Sequence, residues 1–380
     1  MNGLDFLKKE QILYDGTQFN AIAIPSIKNP KYIITINDKR VFFAGLNLIS
    51  TRTIKAFLGK CAYSWLYRLG LIKKILKPHL VTINISNELY KSFDHAILEV
   101  EGVNIYVGSA KNENLSLTFQ IIAANKEYYV RYPISQTAKM LQNNEHRNIN
   151  FLSQLAKLSI QRLHKTINFQ DTYLHIYEGF SPKQTRTRLC PNKMALLKCL
   201  SYPSSAPIIS NVYFKELCLA IEQLIEFTPN EHIKALKKSY HTVLVGLNTV
   251  SVRKAFFHGD FSPDNVLLSK KEWHLIDFEY SHPDFFACFD LFHYFYKKNK
   301  LHLKVISRKD IQKLHHLSKI AYGELPFSSF ETISSTAVIR NLFIFYLYFL
   351  LNRYLVDEKV NVDSATVANL IESISSLSNC

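Results

Sequence analysis

The six cysteines of this chain, Cys61, Cys190, Cys199, Cys218, Cys288 and Cys380, show no Cys-x-x-Cys spacing and no histidine partners. That scatter argues against a zinc site and against a disulfide framework, and points to a reducing, cytoplasmic compartment. No secretion signal is expected either, because the first ten residues, MNGLDFLKKE, carry charges where a continuous apolar stretch would be needed. The longest apolar run, 342–351, lies between Arg340 and Arg353 and falls short of the roughly 20 residues that span a bilayer, so a buried helix is expected there. No internal repeat or low-complexity tract is evident. Acidic residues are absent from 41–87, a stretch that holds Arg52, Lys55, Lys60, Arg68, Lys73, Lys74 and Lys77.

What is present is a chain of 380 residues, 47% hydrophobic and 20% charged, enough to bury one large core or two moderate ones. Its formal charge of +15 favours an anionic partner, whether nucleotide, phosphorylated sugar, acidic lipid surface or nucleic acid, and weighs against polycationic substrates.

Three regions emerge from the patterning. Residues 1–91 read as an N-terminal extension with strand-like pieces at 32–36 and 40–43, followed by the basic segment. Residues 92–179 read as a small strand-rich lobe, with β patterns at 96–100, 103–107, 115–122 and 128–132, a helix over 136–158 and a strand at 172–177 leading out. Residues 180–380 read as mostly helical, with strong patterns at 213–227, 232–247, 310–322 and 336–355. One β-hairpin interrupts the last region, and the chemistry concentrates on it.

That hairpin follows a predicted helical region and begins at Phe256-Phe257-His258-Gly259-Asp260-Phe261-Ser262-Pro263-Asp264-Asn265, which runs directly into the apolar strand Val266-Leu267-Leu268. After a turn at 269–272, Trp273-His274-Leu275-Ile276-Asp277-Phe278-Glu279 forms a second strand ending in acids, which brings Asp277 back beside the loop. Phosphoryl transfer needs a carboxylate to orient and deprotonate the attacking hydroxyl, oxygen ligands for Mg²⁺, and positive groups on the phosphates. Asp260 fits the base, while Asn265 and Asp277 fit the metal ligands, since a hard cation prefers oxygen. The spacing His-x-Asp-x4-Asn is that of the protein-kinase catalytic loop. Alone it could be a capped turn, because Asp and Asn are ordinary turn residues. The following hairpin with its acidic end favours the functional reading, in which His258 orients the loop and takes no proton in turnover.

With the later Phe289-Asp290-Leu291-Phe292-His293, these motifs resemble the aminoglycoside phosphotransferase and choline kinase superfamily, with wording most similar to phosphotransferases encoded with bacterial surface-polysaccharide enzymes. Gly259 stands where protein kinases carry arginine. The specific motifs cover 256–296, a looser similarity runs from about Ser92 onward, and the first ninety or so residues have no identifiable counterpart. The resemblance implies an α+β, two-lobed protein-kinase-like fold with a small β-rich N-lobe, a larger mostly helical C-lobe and an additional N-terminal region. It implies ATP as co-substrate with Mg²⁺, bound between the lobes, and an alcohol acceptor. Arg131 stands where the family's phosphate-binding lysine falls; arginine keeps the charge and can grip two phosphate oxygens. Glu145 is its natural ion-pair partner, although a surface arginine and a solvated glutamate are the plainer readings. Gly108 and Ser109 mark the phosphate-covering loop, which departs from the family by having a single glycine. Residues 173–179 take the hinge position, and Asp290 is expected to cap or brace a helix beneath the site, outside the catalytic set.

The expected activity is therefore a kinase acting on a hydroxyl of a small molecule or glycan, with an anionic saccharide, including a lipid-linked one, favoured by the charge. The alternative is a catalytically silent nucleotide-binding scaffold for surface-glycan enzymes at the membrane. Over 55–77, Phe57, Leu58, Cys61, Ala62, Trp65, Leu66, Leu69, Ile72 and Leu76 recur at helical spacing, giving an amphipathic basic helix ended by Pro78. It is either docked on the body with a solvated basic face or laid on an anionic membrane at the inner face of the cell. A nucleic-acid partner is disfavoured, since no binding motif accompanies the charge.

Overall fold

A computed structural model describes residues 16–49, 54–107, 116–154, 159–179, 190–269, 272–329 and 334–379. The chain divides into two compact units, Met1–Gln142 with Gln161–Ser181, and Asn143–Ile160 with Pro182–Cys380. The fold is α+β, with strands dominant in the first unit and helices in the second.

The first unit is built on an eight-stranded antiparallel sheet. Its strands are β1 (Gly16–Ile24), β2 (Tyr32–Thr35), β3 (Leu80–Ser86), β4 (Val100–Tyr106), β5 (Ser116–Ala123), β6 (Lys126–Pro133), β8 (Leu163–Phe169) and β9 (Thr172–Glu178), in the order β3-β1-β2-β4-β5-β6-β9-β8. Alternation along the strands serves two apolar layers. Ala21 and Ile33 join Phe93 and Phe119 on one side, while Ile22 and Ile34 join Phe42 and Leu46 on the other. The helix Asn87–Ile97 covers the first layer through Leu89, Phe93, Ala96 and Ile97. The helix Lys39–Asn47 supplies Phe42 and Leu46 to the second.

Several expectations change here. Residues 40–43 are helical, because the Asp38 carboxylate accepts the Arg40 and Val41 N–H groups at 2.7 and 2.9 Å and so starts a helix. Residues 96 and 97 end a helix, and the chain then reverses through the positive φ of Leu98 and Glu99 before β4. A line drawn at 91 falls inside that helix, and β1 to β3 are hydrogen-bonded into the same sheet as β4 to β6. The basic helix stops at Arg68. Gly70, at φ 68°, supports a Schellman closure in which the Leu71 N–H reaches Leu66 O and the Gly70 N–H reaches Tyr67 O.

In the second unit, β10 (Ser201–Pro207), β11 (Val250–Phe257), β14 (His282–Phe286) and β15 (Phe327–Ser329) form a four-stranded sheet. The hairpin β12 (Val266–Ser269) and β13 (Glu272–Leu275) pairs with β7 (Ser159–Ile160). The segment entering the motif loop is thus strand β11, where a helix had been read. The helix Ser335–Asn352 occupies the core, with Leu342, Tyr346 and Leu350 completely buried. Continued to Asp357, it is long and apolar enough to cross a membrane, yet its apolar run packs inside this unit.

A buried polar cluster fixes the first unit's second layer. Asn104 accepts the Thr35 N–H at 2.9 Å, and its amide donates to Val41 O and to Gln120 Oε1 at 2.9 and 3.0 Å. Asn104→Ala strands the Thr35 N–H and is expected to destabilise the protein by roughly 1–3 kcal/mol in denaturant unfolding. A change within error would mean that the cluster does not hold the helix Lys39–Asn47 to the sheet.

Candidate active site

Strand β11 delivers the chain into the loop at His258, and β12 takes it out after Asn265. His258 is buried, and its backbone N–H and that of Gly259 donate to the two oxygens of Asp290 at 2.8 and 3.1 Å. Gly259 has φ 80°, and a Cβ there would lie 2.2 Å from Tyr280 O, so both backbone freedom and close approach demand glycine. Its carbonyl accepts from Arg353 Nη1 at 2.9 Å, which anchors the loop on its other side. The His258 ring is spent as well: Nδ1 accepts the Asp260 N–H at 3.3 Å and Nε2 donates to Ile276 O at 3.0 Å. Burial lowers its pKa, consistent with this neutral tautomer.

The loop presents Asp260 with both oxygens held. Oδ1 accepts from His293 Nε2 at 2.7 Å, and Oδ2 accepts from Asn265 Nδ2 at 2.8 Å. Asn265 Nδ2 also reaches Asp260 O at 2.9 Å, which commits the amide nitrogen to the loop and leaves Oδ1 as the Asn265 atom suited to a cation. Asn265 O accepts the Ile276 N–H at 3.2 Å, continuing the β12–β13 register in which Val266 faces Leu275. Asp277 is thereby the next residue beyond the one paired with Asn265, and it adopts φ 69°, an uncommon conformation for a residue other than glycine.

One face of the helix Gln136–Gln154 grips the chain just after Asp277. Glu145 Oε1 accepts the Phe278 N–H at 3.2 Å, Asn144 donates to Glu279 O and Ser281 O at 2.9 Å, and Asn148 donates to Ser281 O at 2.9 Å. Glu145 is buried, where a solvated helix glutamate was one expectation. Arg131 stands in the first unit on β6, opposite Thr118 of β5. Gly108 and Ser109 lie outside the described residues.

Two participants were assigned no role from the sequence. His293 follows Asp290 by three positions on the helix Cys288–Lys298, so both point to one side, and that spacing was the available signal. Arg353, buried, stacks 3.6 Å over the Tyr280 ring and pairs with Glu358 at 3.0 Å. Nothing in its local sequence marks it. Asp290, expected to brace a helix, braces the loop itself.

The charges sort themselves by burial. Burial alone would raise the Asp260 carboxyl, but the His293 hydrogen bond, aided by Arg353 and Lys297, holds it well below the usual carboxylate range. Burial pushes the His293 imidazole down to about 4 against the pull of Asp260. Neutral His293 then donates from Nε2 to Asp260 and accepts from the Tyr346 hydroxyl at Nδ1, 2.9 Å away. Burial raises Asp290 to about 7, although two N–H donors favour its anion.

These shifts give opposite slopes of stability with pH. Asp290, raised from 3.8, contributes stability that is present at low pH and lost as pH rises towards 7. His293, lowered from 6.5, contributes stability that is lost as pH falls towards 4. His293→Gln retains a donor for Asp260 and removes only the second slope. The stability advantage of the wild type over this variant is therefore expected to be larger at pH 6.5 than at pH 4, by on the order of 3 kcal/mol. Urea titrations across that range check it, and a pH-independent difference would contradict a neutral buried His293.

The model of the Phosphotransferase enzyme family matches residues 216–295, which include the loop, the hairpin and His293. No curated protein gives a significant match. Among solved structures, the chain is similar to the GDP complex of aminoglycoside 2'-phosphotransferase-IIIa, at 12% identity over 77% of this chain and 99% of that one, with a TM-score of 0.51. It is similar to choline kinase LicA from Streptococcus pneumoniae, at 16% identity over 77% and 98%, with a TM-score of 0.50. A thermostable mutant of aminoglycoside phosphotransferase APH(4)-Ia, in complex with ADP and hygromycin B, matches at 13% identity over 77% and 98%, with a TM-score of 0.53. The resemblance noted in the motifs is thus borne out: the chain has the kinase-like fold of the aminoglycoside phosphotransferases and choline kinase, and its Asp260 loop lies within a phosphotransferase-family segment.

Proposed function

We propose that this protein is a kinase that transfers the γ-phosphoryl group of ATP to a hydroxyl of a small molecule or saccharide, with Asp260 as the base and Asn265 and Asp277 as ligands of Mg²⁺. The observation that carries the reading is the Asp260 carboxyl group, fixed from one side by His293 and from the other by Asn265, next to the paired strand ends that bear Asn265 and Asp277. An amide oxygen and a carboxylate suit a hard divalent cation, and the Asn265 nitrogen is already turned away into the loop. When bound, the cation supplies charge neutralisation on the phosphates. Arg131 serves the phosphates as a fixed positive charge, Glu145 holds the Asp277 segment, and Gly108 and Ser109 belong to the covering loop.

Asp260 accepts a hydrogen bond from the acceptor hydroxyl, aligns its oxygen for in-line attack, and takes its proton as the new P–O bond forms. A carboxylate so acidic is a weak base, so its contribution is mainly orientation, which suits the loose transition state of phosphoryl transfer.

The acceptor is an anionic saccharide. Lys297, one turn beyond His293, lies 6.0 Å from the Tyr354 ring centre and has no carboxylate partner among the described residues. Its charge and that of Arg353 both act on Asp260. A cationic amine approaching Asp260 would meet these charges, and an acidic saccharide would be drawn to them.

Asp260→Asn is expected to lower kcat by about 10²–10⁴-fold with ATP binding retained. In the wild type, Asp260 contributes no acid limb to kcat between pH 5 and 8, whereas His293→Ala raises its pKa and brings such a limb into view. Phosphorylated products are sought by mass spectrometry with ATP and with GTP, comparing the wild type with Asp277→Ala. Turnover unaffected by Asp260→Asn, or a screen in which only cationic amines are consumed, would overturn the kinase or the acceptor assignment respectively.

A further inference from the structure

The helix Ile54–Arg68 contains no buried residue, although it is rich in large apolar side chains. Its inward side is accounted for. Tyr63, Leu66 and Tyr67 pack on the second layer of the first unit, with the Tyr67 ring stacked 4.1 Å from Phe42. At 3.6 residues per turn, Ile54, Leu58 and Trp65 fall on a stripe roughly 150° away from that packed side. Ile54, Phe57, Leu58 and Trp65, with Leu69 just beyond the helix and Ile75 in the following turn, are between 53% and 79% exposed. Single exposed apolar residues are ordinary on protein surfaces. A contiguous stripe on one short helix, continued past its end, marks an interaction surface.

The charge around the stripe selects the partner. Lys55, Arg68, Lys73, Lys74 and Lys77 are exposed beside it, and no acidic residue occurs anywhere in 41–87. A second copy would oppose this basic surface with an identical one, so self-association through the stripe is disfavoured. An apolar stripe bordered by exposed bases is instead complementary to a bilayer with anionic headgroups. The bases engage lipid phosphates, while tryptophan and leucine enter the acyl boundary. We infer that the segment 54–77 is a membrane-docking surface that places the protein on anionic lipid, with Leu58 and Trp65 as the inserted residues. This rests on exposure and charge in the first unit and stands apart from the kinase assignment.

The test uses the full chain with phosphatidylglycerol–phosphatidylcholine vesicles and with pure phosphatidylcholine vesicles. Trp65 and Trp273 are the only tryptophans, so Trp273→Phe leaves Trp65 as the sole tryptophan emitter. Its emission is expected to shift to the blue with anionic vesicles only, and the protein to float with them at low salt and release at high salt. Leu58→Ser with Trp65→Ser should abolish flotation while leaving the far-ultraviolet circular dichroism and the melting temperature unchanged, because neither side chain is packed in the fold. Each exposed lysine changed to glutamine should weaken vesicle partitioning about fivefold. Equal binding to neutral vesicles, flotation that survives the double substitution, or absence of any blue shift would overturn the inference. So would a blue shift without lipid accompanied by dimerisation in sedimentation velocity, which would assign the stripe to a second copy of the chain.

Discussion

A buried carboxylate between two consecutive backbone N–H groups organises the second unit. Asp290 receives the N–H groups of His258 and Gly259, and this double donation can form only if the chain turns through the positive φ of Gly259. Consecutive amides aimed at one anion make a small concave donor site, which offsets part of the cost of burying the charge. Once the loop is fixed there, Arg353 closes on the Gly259 carbonyl and Tyr280 O occupies the space a side chain would fill. The position of Asp260 follows from that anchoring.

The same helix supplies the second constraint. His293, one turn after Asp290, meets Asp260 from below and is itself oriented by Tyr346 of the central helix. The chain of hydrogen bonds from Tyr346 through His293 to Asp260 joins the apolar core to the Asp260 carboxylate, so the carboxylate cannot rotate without disturbing buried groups. Asn265 holds the opposite oxygen, and the hairpin register carries Asp277 to the same end of the strands. Rigid placement of this kind suits chemistry in which orientation and electrostatics matter more than basicity.

Positive charge is a local feature of each unit. In the second unit, Lys297 and Arg353 help His293 to hold the Asp260 carboxyl below the usual carboxylate range. In the first, exposed lysines flank the exposed apolar stripe of the helix Ile54–Arg68.

The loop from His258 to Asn265, the hairpin and the main helices of the second unit were legible in the sequence, because each is local: turn residues, strand alternation and helical period act within a few positions. The Asp38 cap and the Gly70 stop were equally local signals that the apolar pattern outweighed. The partners of β1 to β3, the inward turn of Glu145, the link from Arg353 to Gly259 and the outward face of the helix Ile54–Arg68 depend on chain segments far away in sequence. Sequence alone determined which side chains could do the chemistry and the spacing between them. Tertiary structure decided which oxygen of Asp260 each neighbour holds, which carboxylate stays ionised and which apolar face stays open, because burial and hydrogen-bond geometry arise only when distant segments pack together.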